Sequence, residues 1–123
     1  MADGRGLDPT YLQDLAESGG ESFVRDVVRT FLETVPPRVA TLRAALGTGD
    51  FAAASRAAHS IVSSAAMVGL TDVQGTARGV ESLAAQGGPV PPHQVTALDR
   101  ALADAPALLE QGLRVAVKGK PGP

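Results

Sequence analysis

At 123 residues and a net charge of −2, the chain has the length of one domain and lacks the basic surface that nucleic-acid binding requires. It contains no cysteine, which excludes disulfides and thiolate metal sites. Hydrophobic residues make up 44%, but only three Phe and one Tyr are among them. A core must therefore be built from Ala, Val and Leu, a mixture that suits close-packed helices better than strands.

The opening MADGRGLDPT carries no apolar signal core, and no run reaches the roughly 18 apolar residues of a membrane span. A soluble, cytoplasmic domain without membrane contact is expected. Asp8-Pro9 supplies an N-cap followed by proline at the first helical position, opening a short helix through about Glu17. Ser18-Gly19-Gly20-Glu21 reads as a capping box for the next helix. Its apolar residues recur at Val24, Val28, Phe31 and Val35. Pro36-Pro37 removes two amide donors, so a kink or a fresh start is expected there. The pattern resumes at Val39, Leu42 and Leu46 and stops at Gly47-Thr48-Gly49, where Asp50 can cap the next helix.

Phe51, Ala54, Ala58, Ile61, Ala65 and Val68 are then spaced 3-4-3-4-3, the stripe of a bundle helix. Gly69 ends it, and Thr71-x-x-Gln74 reads as another capping box. Val73, Ala77, Val80 and Ala84 form the next stripe, closed by Gly87-Gly88-Pro89. After Pro91-Pro92, a last stripe runs through Val95, Leu98, Leu102, Ala105 and Leu109, with a bend expected at Pro106. The expected architecture is all-α, an antiparallel four-helix bundle with an additional short N-terminal helix. Residues 1–7 are expected to be a flexible N-terminus, 8–115 the bundle, and 116–123 a disordered tail.

Within the third of the bundle's stripes, His59 stands out. It lies roughly 130° from the stripe's centre on the helical wheel, well outside the buried arc. Its surface neighbours are Ser55, Arg56, Val62, Ser63, Ala66 and, further along, Met67. Most are small, so the ring stands above its surroundings and can be reached by a group recessed in another protein. Near neutral pH an imidazole keeps a nucleophilic lone pair. No acid or second histidine lies three or four residues away, so neither a metal site nor a hydrolytic dyad has local support. By itself an exposed histidine is most often a plain surface residue.

The stretch Ala58-His59-Ser60-Ile61-Val62-Ser63-Ser64-Ala65-Ala66-Met67-Val68-Gly69 resembles the motif of the histidine-containing phosphotransfer (HPt) domain family, A-H-x-L-K-G-[SG]-[SA]-x-x-[LF]-G. The resemblance extends upstream through Phe31-Leu32-Glu33, Val39-x-x-Leu42-x-x-Ala45-Leu46, Gly49-Asp50 and Arg56-Ala57, and covers roughly residues 8 to 112. It implies a four-helix bundle with no bound cofactor or metal and no catalytic machinery of its own. It also implies that His59 is the phosphoacceptor through Nε2, serving a receiver domain of a response regulator or hybrid histidine kinase. The small residues beside His59 then let the receiver's active site close over the imidazole, and Ser55, Arg56, Val62, Ser63, Ala66 and Met67 become phosphoryl neighbours or docking residues. A monomer is expected.

Two positions depart from the motif. The family's lysine three residues after the histidine is Val62, placed by the wheel at the core's edge, and its glycine at the fourth is Ser63. The lysine normally sits by the phosphoryl oxygens, so Arg56 is a candidate substitute. A phosphorelay carrier is the first reading. A binding-only module that docks a receiver or kinase without phosphotransfer is the alternative, favoured by Val62. A phosphoaspartate phosphatase ranks third, because no acid or amide flanks His59 in the sequence. His93 reads as a solvated helix-end residue, Asp72 and Glu81 show no partner arrangement, and Lys118 and Lys120 are too few for a membrane or nucleic-acid surface.

Overall fold

The computed structural model describes residues 6–118. Four helices follow one another: α1 Pro9–Thr48, α2 Phe51–Val68, α3 Thr71–Ala85 and α4 Pro92–Lys118. Each packs against its two neighbours in the ring α1–α2–α3–α4–α1. Short connections between α1 and α2 and between α2 and α3 force an antiparallel arrangement. No described helix is long and apolar enough to cross a membrane.

The helix ends follow local chemistry. Asp8 accepts a hydrogen bond from the Thr10 amide at 3.0 Å, and Asp50 does the same for Ala53 at 3.1 Å, each satisfying an orphan donor of a first turn. Helix α1 is interrupted at Gly20, whose φ of 88° and ψ of 177° are non-helical. A side chain would be disfavoured in that conformation, and glycine adopts it without strain. The break separates residues 9–19, the expected short N-terminal helix, from the long first helix of the bundle. It is not made by a capping box, because Glu21 instead pairs with Arg25 at 2.8 Å. Nor does the chain break at Pro36-Pro37, which stay inside a continuous helix. Their rings and the carbonyl-bearing Leu32 and Glu33 one turn earlier are exposed, so water can take the two freed carbonyls. Thr71 likewise does not cap α3: the cap position is Leu70, which has no capping side chain.

The core is a single apolar cluster running through all four helices, and no polar side chain is buried among the described residues. Two of the sequence boundaries move. Leu7 belongs to the core rather than to a flexible segment, and α4 continues to Lys118 with Ala116 buried, past the expected limit of 115. Residues 1–5 and 119–123 of the expected termini lie outside the described residues. At the α2–α3 turn, Gly69 has φ +78° and carries a carbonyl that accepts from the Asp8 amide at 2.8 Å. A Cβ there would come within 2.6 Å of the Asp8 carbonyl oxygen, so glycine is required both by the turn and by the close passage of the chain entering α1.

Candidate functional site

Helix α2 lies between α1 and α3, so it buries more than the single stripe read from the sequence. The stripe residues Ala54, Ala58, Ile61, Ala65 and Val68 are buried, and Ala57 and Val62 join them, one on each flank. Val62 is only 7% exposed. The expectation that it stands at the core's edge beside the imidazole is therefore corrected: packing against a second neighbouring helix widens the buried arc to include it.

His59 points the other way, with 67% of its side chain accessible. Its Nδ1 lies 2.8 Å from Oε2 of Glu81 on α3. An ionised carboxylate can only accept, so in the neutral ring the hydrogen of this bond sits on Nδ1. The lone pair is then on Nε2, which faces away from the pair. Glu81 is 27% exposed, held close to the bundle by the helix that carries it. Among the described residues, this bond and the Arg43–Asp99 pair are the side-chain to side-chain hydrogen bonds that join different helices.

Glu81 is the residue that sequence reasoning missed. Its partner is 22 positions away, beyond any helical neighbour rule. The signal that could have found it is the turn at Gly69: in an antiparallel hairpin closed at residues 69–70, positions whose numbers sum to about 140 face each other, and 59 and 81 do so.

The remaining expected site residues surround this pair unequally. On α2, Arg56 and Ser63 are exposed, Ser55 and Ala66 are half-buried, and Met67 is 59% exposed. Met67 lies with Phe23, 43% exposed, in an open groove between α1 and α2 that Val27, Thr30 and Ser64 also line. His93 is exposed at the start of α4. Among the described residues, no group of three His, Cys, Asp or Glu side chains is placed to hold a metal ion.

In this ring of four helices the His59 imidazole faces solvent and is hydrogen-bonded from behind by a carboxylate of the next helix, an arrangement that leaves Nε2 open to a partner. The Hpt domain family model matches residues 26–111, and the chain belongs to that family, whose members are phosphocarriers of two-component signalling that work with receiver or kinase partners. The histidine-containing phosphotransfer protein B (HptB) of Pseudomonas aeruginosa PAO1 is a similar solved structure, with a TM-score of 0.83 and 26% identity over 91% of this chain and 97% of that one. No curated protein gave a significant match to the sequence.

Proposed function

We propose that this chain is a phosphorelay carrier in which Nε2 of His59 accepts a phosphoryl group from a receiver-domain aspartyl phosphate or a kinase and passes it to a receiver domain. The observation that carries this reading is the 2.8 Å bond between His59 Nδ1 and Glu81. It favours the tautomer in which Nε2 carries the lone pair and can act as the nucleophile. As the Nε2 lone pair forms the new P–N bond, the P–O bond to the aspartate breaks and the carboxylate leaves with its electron pair. The ring keeps its Nδ1 proton and becomes positively charged, and the Glu81 carboxylate sits where that charge develops. The return step to a second aspartate runs the same geometry backwards. The acid and metal chemistry needed at phosphorus belongs to the receiver, and this chain supplies an oriented nucleophile on an open surface.

Around the ring, Ser55, Ser63 and Ala66 keep the approach low, and exposed Met67, about two turns further along α2, offers apolar contact to a receiver together with Phe23. Arg56 stands on the same face as a further contact. Val62, packed in the core, does not take part. The binding-only alternative rests on this same residue, because position 62 brings no cation to the phosphoryl oxygens.

The deciding experiment incubates the purified protein with phosphorylated receiver domains from the same genome and measures acid-labile phosphate on this chain. Wild type and His93→Gln should be labelled equally, and His59→Gln should carry none. Stable receiver binding without any label on wild type would establish the docking-only reading instead.

A further inference from the structure

A phosphoryl group on Nε2 brings two negative charges into a site that already holds the Glu81 carboxylate within hydrogen-bond distance of the same ring. On α2, the residue one turn further toward the α2–α3 turn is buried, uncharged Val62. The neighbouring helix is different. The His59–Glu81 bond marks the register of the α2–α3 hairpin, so stepping three residues forward from His59 and three back from Glu81 leads in the same direction. Those steps place Val62 and Arg78 across from each other, each about 4.5 Å along its helix axis from the bonded pair. Arg78 is exposed, and Glu81 is its i+3 neighbour on the helix surface. None of the ion pairs among the described residues engages Arg78, so its guanidinium is uncommitted.

We propose that Arg78 is the cation that meets the phosphoryl oxygens on His59, reaching over from α3 where α2 presents only a valine. This rests on His59 being the phosphorylated residue. An uncommitted arginine suits the role, since its planar fork can grip two phosphoryl oxygens and stays charged at every working pH. Arg56, the other uncommitted arginine near His59, lies one turn in the opposite direction and serves as the internal comparison.

The test needs no partner protein. Phosphoramidate phosphorylates an exposed imidazole directly: the Nε2 lone pair forms a P–N bond as the P–N bond of the reagent breaks and ammonia leaves. Wild type, Arg78→Gln, Arg78→Lys, Arg56→Gln and His59→Gln are treated in parallel, and the phosphohistidine signal is titrated by 31P NMR. Arg78→Gln should raise the apparent pKa of the phosphoryl group by about half a unit or more, as expected for removing one near charge at a surface. Arg78→Lys should restore most of the shift, and Arg56→Gln should leave it unchanged. The 15N signals of the unphosphorylated His59 ring should be the same in wild type and Arg78→Gln. An unchanged phosphoryl titration in Arg78→Gln overturns the proposal, as does an equal shift in Arg56→Gln. A changed tautomer in the unphosphorylated ring also overturns it, because Arg78 would then act through Glu81. The reagent also labels exposed His93, so the resonance titrated is the one lost in His59→Gln; if no resonance is lost in that variant, the underlying reading of His59 falls and this proposal with it.

Discussion

Replacing Glu81 by alanine removes the acceptor that holds Nδ1 of His59 and leaves the ring on an otherwise solvated surface. A hydrogen bond to a charged group contributes about 1.5–3 kcal/mol when protected. With His59 67% and Glu81 27% exposed, solvent screening reduces this to about 1 kcal/mol. That is close to fivefold in rate if the interaction is gained as the imidazolium develops. Glu81→Gln keeps an acceptor oxygen but loses the charge, so it should lie between alanine and wild type, near a twofold loss. Both variants should fold normally, since no core residue is touched. The assay is the initial rate of phosphoryl transfer from a phosphorylated receiver, read beside the 15N shifts of the imidazole. Wild type should show predominantly Nδ1–H, and Glu81→Ala should show a mixed tautomer population. Wild-type transfer rates in Glu81→Ala, with an unchanged tautomer, would refute the argument that α3 orients the nucleophile.

Three further outcomes are expected. Val62→Lys should lower stability by about 1–3 kcal/mol, because a buried position must either lose its packing or desolvate an ammonium; a thermal melt equal to wild type would put Val62 back at the surface. Gly69→Ala should cost clearly more than Gly49→Ala. Both glycines are in the left-handed helical conformation and share a strain of roughly 1–2 kcal/mol, but only at Gly69 does the new Cβ collide with backbone, at 2.6 Å from the Asp8 oxygen; equal denaturation midpoints would contradict this. Ser63→Arg and Ala66→Gln should weaken receiver binding while shifting stability by no more than about 0.5 kcal/mol, with Ser60→Arg as the control. Equal receiver affinity in all three would remove the surface beside His59 from the docking face.

Much of the fold was legible because it is written in short-range rules. Asp8, Asp50 and Gly69 end or begin helices through bonds to residues a turn away, and the 3-4 spacing of α2 named its core face. Reading failed where the outcome depended on what lies across from a residue. Pro36-Pro37 looked like a break, yet exposed carbonyls can be left to water, and the real break came at Gly20, where backbone conformation and not hydrogen bonding decides. Val62 was misplaced because a wheel drawn for one helix ignores the second neighbour that covers its flank. The histidine itself was visible from its setting among small residues. The carboxylate that orients it was not, since Glu81 joins it only through the register of the hairpin.

The brace at the foot of that hairpin bears on how a signal passes through this molecule. The Asp8 amide holds the Gly69 carbonyl, Leu7 is sealed into the core, and Glu81 already grips the ring before any partner arrives. On the proposed reading, loading and unloading both start from this braced arrangement. On that same reading, net phosphoryl traffic across His59 is set by the relative abundance and phosphorylation of the receivers or kinase it meets, and a shift in those levels reverses the flow without any change in this chain.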